Sequence, residues 1–249
     1  MMKKRVLILG GTGDATELAV RAAEIPELEI ITSLAGRTHQ PVVPENTRIG
    51  GFGGVAGLTD YLRKQQIEVI IDATHPFAAQ ISFNVAAAAK EVAIPHLMLI
   101  RPAWKQTKGD RWIEVATNAM AAMALPQLAQ RIFLTIGRQQ LSAFVHLQDL
   151  WFLMRTIDPP LPDALIPPGK LLRERGPFSP NEERSLLQQY EIGAIVSKNS
   201  GGDATYAKII AARELGIPVV MVQRPSIPSG EQVETIEDAL AWITSKHSF

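Results

Sequence analysis

Residues 5–19 constrain the fold more than any other stretch. Arg5-Val-Leu-Ile-Leu9 is a short apolar run that passes directly into Gly10-Gly11-Thr12-Gly13-Asp14-Ala15, after which Leu18, Ala19, Ala22 and Ala23 recur at helical spacing until Pro26. A buried strand, a glycine turn and a helix in immediate succession bring free helix N–H groups and the positive end of the helix dipole beside a backbone that can approach an anion closely. Gly11, Thr12, Gly13, Asp14 and Ala15 are therefore candidates to hold a pyrophosphate. Thr16 stands where a strict G-x-G-x-x-G pattern has its last glycine, and a tight strand-to-helix turn with no ligand would use the same glycines.

The alternation continues along the chain. Residues 28–34, 69–72 and 95–100 read as further strands, with helices at 58–65 and 81–91. Such an order predicts a parallel sheet covered on both faces. Residues 103–109 are irregular and polar, as a linker or a crossover loop would be. A second alternation follows, with strands at 111–115, 131–138, 151–157, 194–197 and 219–222, and helices at 117–125, 181–190, before Leu215 and at 236–244. Met120 and Met123 are read as core filling. Residues 158–168 are proline-rich and extended.

Length alone allows one large domain or two small ones. An internal echo favours two. The segments Ile94-Pro95-His-Leu-Met98-Leu-Ile-Arg101-Pro102 and Ile217-Pro218-Val-Val-Met221-Val-Gln-Arg224-Pro225 share Ile, Pro, Met, Arg and Pro at one spacing, each after an alanine-rich helix. Two similar α/β lobes are expected, 1–102 and 103–249.

Ligands of open α/β sheets sit at the carboxyl ends of the strands, so the loops there are the candidate site. After the strand at 28–34 comes Ser33-Leu-Ala-Gly36-Arg37, which has no carboxylate; an arginine here suits the 2′-phosphate of NADP, and would also suit a solvated loop. Gly50-Gly-Phe-Gly53-Gly54-Val-Ala-Gly57 marks a close backbone approach, either to a cofactor or to a neighbouring strand. Thr74-His75-Pro76-Phe77 follows the strand at 69–72, where His75 can act in chemistry or simply in structure. Lys198-Asn199-Ser200-Gly201-Gly202 offers a cation and two hydrogen-bonding side chains to a carboxylate or phosphate, although turn chemistry alone can account for Asn-Ser-Gly-Gly.

Composition narrows the chemistry. With 25 basic and 25 acidic residues the formal net charge is zero, which gives no overall attraction to nucleic acid or an anionic membrane. Bases outnumber acids between Arg101 and Arg175, as a small polyanionic substrate would favour. The absence of cysteine excludes disulfides, a thiolate nucleophile and cysteine metal sites, and fits a cytoplasmic location. The apolar run after Lys3-Lys-Arg5 stops at Gly10, too early for a signal peptide, and no stretch is long enough to span a bilayer. HExxH, GxSxG and P-loop patterns are missing, no metal site is expected, and Tyr61, Tyr190 and Tyr206 all lack the lysine one helical turn on that a tyrosine-lysine reductase needs. Nothing in the sequence sets an oligomeric state.

Taken together, Leu9-Gly-Gly-Thr-Gly-Asp14-Ala, Gly51-Phe-Gly-Gly54, Ile71-Asp-Ala-Thr-His75-Pro-Phe-Ala, Arg101-Pro-Ala-Trp104, Leu134-Thr-Ile-Gly-Arg138, Arg175-Gly-Pro-Phe178, Val196-Ser-Lys-Asn-Ser-Gly-Gly202 and Val222-Gln-Arg-Pro225 resemble the precorrin-6A reductases of the cobalamin pathway and their relatives acting on cobalt-precorrin-6A. The resemblance runs almost end to end. It implies an α/β fold of two Rossmann-like lobes, with parallel sheets flanked by helices and with cofactor and tetrapyrrole meeting between the lobes. It implies hydride transfer from NADPH, with NADH the alternative, to a macrocycle bearing many carboxylates. On this reading Gly11, Thr12, Gly13, Asp14, Ala15, Gly53 and Thr74 hold the cofactor and Arg37 its 2′-phosphate. His75 and Lys198 serve the chemistry, while Arg138, Arg175, Asn199, Ser200, Gly201 and Gly202 hold the substrate. A non-catalytic NADP-binding regulator, or a reductase of another acidic substrate, would share the nucleotide loop but not the reaction.

Overall fold

The computed structural model describes residues 3–36 and 46–245, so Arg37 lies outside the described residues. The opening apolar run forms β1 (Lys4–Leu9), which continues into α1 (Gly13–Ala23), β2 (Leu28–Leu34), β3 (Thr47–Ile49), α2 (Gly54–Lys64), β4 (Val69–Asp72), α3 (Ala79–Val92) and β5 (His96–Leu99). The second alternation gives β6 (Trp112–Val115), α4 (Asn118–Ala124), β7 (Arg131–Thr135), a 3₁₀ helix (Arg138–Phe144), β8 (Trp151–Thr156), β9 (Gly169–Arg173), α5 (Pro180–Gln189), β10 (Ala194–Lys198), α6 (Ala207–Leu215) and β11 (Val219–Val222). The described residues end with β12 (Glu231–Val233) and α7 (Ile236–Ser245).

These elements divide into two units, 1–102 with 225–249, and 103–224. Each is built on a six-stranded parallel sheet, in the order β12-β5-β4-β1-β2-β3 in the first and β6-β11-β10-β7-β8-β9 in the second. Both faces of the first sheet are covered. Val6 and Ile8 of β1 pack with Leu18 and Ala22 of α1 and with Ala239 and Ile243 of α7, whereas Leu7 and Leu9 pack with Leu58 and Leu62 of α2 and Val85 and Ala88 of α3. This period-two division of one apolar strand is what a parallel strand between two helical layers requires. In the second unit Phe133, Leu153 and Ile195 pack with Leu187 of α5 and Ile209 and Ala212 of α6.

The carboxyl-terminal segment corrects the lobe boundary read from sequence. Residues 225–245, expected in the second lobe, pack with the first. Glu231, Gln232 and Val233 pair with Leu97, Met98 and Leu99 of β5, and Ala239 and Ile243 are wholly buried there. The sixth strand of each sheet thus comes from the chain just after it leaves the other unit: β6 follows β5, and β12 follows β11. Three strands escaped the sequence reading, β3, β9 and β12, because none carries a buried apolar run; their residues are intermediate or exposed. Met120 and Met123 are exposed by 49% and 77%, so they do not fill the core; the buried face of α4 is made by Ala121 and Ala122.

Candidate functional site

In an open parallel sheet the crevice for a ligand opens where consecutive connections leave in opposite directions. In the first unit this point lies between β1 and β4. Thr12 occupies it as the N-cap of α1: its Oγ1 accepts from the Ala15 backbone N–H at 3.1 Å and donates to the Ala73 carbonyl, just past β4, at 2.9 Å. One hydroxyl therefore caps the helix and ties the glycine loop to the loop that carries Thr74 and His75.

The glycines of this loop have separate reasons. A Cβ on Gly10 would meet Leu34 Cδ2 at 3.2 Å and Ala15 Cβ at 3.4 Å, so Gly10 serves packing. A Cβ on Gly11 or Gly13 would meet nothing within 4 Å, and Gly11 has a φ of +114°. The space over those two glycines, at the N-terminus of an eleven-residue helix, is where a diphosphate fits. Asp14 would repel it, but its carboxylate is ion-paired with Arg101 at 3.0 Å, which brings a cation to the loop. Thr74 is fixed by Asp72, whose Oδ1 accepts from the Thr74 N–H at 3.0 Å and from its hydroxyl at 2.6 Å. His75 Nδ1 accepts from the Phe77 N–H at 3.2 Å, which leaves the proton of a neutral imidazole on Nε2.

The second glycine segment is explained in part by its own packing. A Cβ on Gly57 would lie 1.9 Å from the Phe52 carbonyl oxygen, so the close approach there is internal. Gly53 caps α2 in the left-handed region, with open space above it. Arg48 fixes the turn before it, donating to the carbonyls of Gly50 and Gly51 and covering the Phe52 ring at 3.9 Å.

In the second unit the equivalent point lies between β7 and β10, where Thr135 Oγ1, at the end of β7, donates to the Val196 carbonyl within β10 at 3.0 Å. Gly137 follows with a φ of +82°, and the Arg138 guanidinium donates to the Pro159 carbonyl at 2.8 Å. The Lys198–Gly202 loop is held from beneath. Asn199 is buried, with its amide spent on the backbone of Trp104: Oδ1 accepts from Trp104 N–H at 2.8 Å and Nδ2 donates to Trp104 O at 3.1 Å. The Trp104 indole N–H donates to Gly202 O at 2.8 Å, and Arg224 donates to the carbonyls of Asn199 and Ser200 at 2.9 and 3.0 Å. Asn199 thus shapes the loop, while Gly201 and Gly202, both at positive φ, turn its backbone.

A buried ionic cluster supports the neighbouring segment. Arg155 pairs with Glu183, which is 1% exposed, and with Glu174 at 3.0 Å, and it lies 4.0 Å over the Phe178 ring. Glu174 and Phe178 flank the exposed Arg175, so Arg155 anchors the chain on both sides of it. Lys208, buried on α6, donates to Thr205 O at 2.7 Å beneath the Trp104 ring. Burial pushes its ammonium down to about 7, with Glu183 opposing the shift and Arg155 adding to it. Arg48, Arg155 and Lys208 were not singled out by sequence reasoning, since each acts on main chain or on buried partners, and Trp104 entered it only as the end of Arg101-Pro-Ala-Trp104. Arg101 and Arg224 did leave a signal, the repeated Arg-Pro that ends both echoed segments.

The family profile described as "Precorrin-6x reductase CbiJ/CobK" matches residues 5–244. The chain belongs to that family. A precorrin-6A reductase of Rhodococcus erythropolis is 50% identical over 242 residues, covering 96% of this chain and 97% of that protein. A cobalt-precorrin-6A reductase of Priestia megaterium is 30% identical over 250 residues, covering 94% and 96%. A solved structure described as "CobK precorrin-6A reductase" is 42% identical and matches with a TM-score of 0.91 over 97% of this chain and 96% of its own. Precorrin-6x reductases are oxidoreductases of cobalamin biosynthesis, and that chemistry calls for a nicotinamide cofactor. Among the described residues no helix is long and apolar enough to cross a membrane.

Proposed function

We propose that this chain reduces precorrin-6A with NADPH, the first unit holding the cofactor and the second the carboxylates of the macrocycle. One observation carries the cofactor assignment: Gly11 and Gly13 lie open at the N-terminus of α1, at the point where Thr12 joins the loops after β1 and β4. Gly11, Thr12, Gly13, Asp14 and Ala15 then hold the diphosphate, with the Asp14–Arg101 pair keeping the loop's net charge from opposing it. Gly53 and Thr74 border the same edge of the sheet. The sequence after β2 carries Arg37 and no carboxylate, which favours the 2′-phosphate of NADPH over the bare ribose of NADH.

When bound, the nicotinamide supplies a hydride to one carbon of a macrocycle double bond, and a proton completes the reduction at the adjacent carbon. The protein's part is alignment and exclusion of water. His75 presents Nε2–H and Lys198 an ammonium from the loops after β4 and β10, the two groups proposed to serve the chemistry. Arg138, Arg175, Ser200 and the backbone of Gly201 and Gly202 receive substrate carboxylates; Asn199 holds that loop in shape. The cobalt-free substrate is favoured because precorrin-6A reductases are 43% to 50% identical to this chain, and cobalt-precorrin-6A reductases 28% to 31%.

Purified protein given NADPH and precorrin-6A is expected to consume NADPH in step with a change in the macrocycle's absorption. Failure under conditions in which an active precorrin-6A reductase turns over refutes the assignment. An Arg37→Ala variant is expected to lose most of its preference for NADPH over NADH, and an unchanged ratio removes Arg37 from the site.

A further inference from the structure

The loop from β8 to β9 exposes several large apolar side chains. Leu161 and Leu165 are each 71% exposed, and Ile157 and Ile166, at its two ends, are 49% and 39% exposed. Single exposed apolar residues need no explanation, but four within ten positions of one loop concentrate apolar surface there. Prolines at 159, 160, 162, 167 and 168 restrict the backbone around it, and Ala164 N–H closes a turn onto Leu161 O at 2.9 Å. The backbone that carries these side chains is therefore restricted before any ligand arrives.

Its place in the topology is specific. All strands of the sheet run parallel, so this loop leaves the same edge as Gly137-Arg138 after β7 and Lys198–Gly202 after β10. By position in the sheet β8 corresponds to β2 of the first unit, whose end reads the ribose of a dinucleotide in folds of this kind. After β8 the second unit carries the apolar loop. Arg138 joins the patch to the crevice by its bond to Pro159 O at 2.8 Å, and the exposed Arg173 and Arg175 stand where β9 reaches the same edge. Asp158 and Asp163, within the loop itself, keep it from being a second anion site.

We infer that Leu161 and Leu165 form an apolar shelf for the carbon skeleton of the macrocycle, while the arginines beside the shelf take carboxylates at its rim. An occupant with an apolar body and an anionic edge matches both halves of this surface. The inference rests on the proposed reduction of precorrin-6A and adds the residues that recognise the substrate's apolar part.

The test is steady-state kinetics of Leu161→Ser and Leu165→Ser, singly and together, in the full chain with precorrin-6A and NADPH. Both side chains are mostly in solvent, so the variants are expected to melt with the parent. The double variant is expected to raise KM for precorrin-6A about tenfold, from loss of part of two leucine burials, with kcat at saturation and the NADPH KM unchanged. A double Leu→Met variant is expected to restore the parental KM. An unchanged KM in the double Ser variant, beside a parent that turns over, overturns the shelf alone; a parent that does not turn over overturns the proposed reaction. If the parent sediments as an oligomer and the Ser variants as monomers, the patch is a contact between copies of this chain and the shelf is wrong.

Discussion

The two units share one strand order and differ at the edge where ligands sit. In the first, the loop after β1 is nearly bare backbone: Gly11 and Gly13 face open space and an eleven-residue helix follows. In the second, the loop after β7 leads into a 3₁₀ helix, and the edge is shaped by side chains: Asn199, Trp104 and Arg224 under one loop, Arg155 and Glu183 under another. A threonine hydroxyl joins the two central elements of each unit, loop to loop in the first (Thr12 to Ala73) and strand to strand in the second (Thr135 to Val196). One framework therefore carries a loop of open backbone in the first unit, proposed for a diphosphate, and an edge held by side chains in the second, proposed for scattered carboxylates. A diphosphate is a compact anion, whereas a macrocycle bearing many carboxylates presents charge at many points.

That comparison can be broken at its foundation by removing residues 225–249. If β12 and α7 complete the first sheet, truncation after Arg224 exposes the edge of β5 and the faces that bury Ala239 and Ile243. A loss on the order of 5 kcal/mol is expected from the exposed apolar surface, seen as loss of the first unit's protection from proteolysis. Protection equal to that of the full chain would refute the pairing. Arg155→Met is expected to cost about 3–5 kcal/mol in denaturant unfolding, because Glu183 is left buried without its cation; the double variant Arg155→Met, Glu183→Leu should recover much of it. Recovery of nothing would mean that Arg155 acts by packing on Phe133 and Phe178 rather than by charge.

Asn199→Ala removes both bonds to Trp104 and is expected to cost about 1–3 kcal/mol, with a raised KM for the macrocycle and an unchanged affinity for NADPH. A change confined to NADPH would place the loop with the cofactor instead. A pH-dependent effect concerns Lys208. Its folded-state value of about 7 lies below the ordinary 10.5, so between these limits the unfolded chain binds a proton that the native chain does not. Stability then rises with pH through that window, and the cost of burying the ammonium is complete below it. Lys208→Met is expected to flatten the rise between about pH 7 and 9 and to stabilise the protein most at the acid end. An identical slope in the variant would show that Lys208 is not the titrating group.

Much of the fold was legible because its central strands are apolar runs bounded by turns. β1, β4, β10 and β11 are buried along nearly their whole length and read as such. The edge strands did not announce themselves: Thr47–Ile49, Gly169–Arg173 and Glu231–Val233 are held by main-chain pairing with a neighbour, which leaves no period in their side chains. The exchange of β6 and β12 between units is a matter of which edge the chain joins, and no local pattern encodes it. In the site, the loops were legible from glycines at strand ends, but the partners that shape them were not. Asn199 reads from sequence as a ligand-facing amide, and only the position of Trp104, far away along the chain, shows that its bonds are turned inward.

The central claim is that the first unit's glycine loop holds the cofactor, and Gly13→Ala tests it most directly. A methyl at Gly13 meets nothing within 4 Å and its backbone needs no left-handed φ, so the variant should melt at or above the parental temperature. Titration with NADPH should nonetheless show a dissociation constant raised at least about tenfold, on the order of 1.4 kcal/mol, because the methyl occupies the space assigned to the diphosphate. A variant as stable as the parent that binds NADPH with parental affinity would contradict the assignment of this loop.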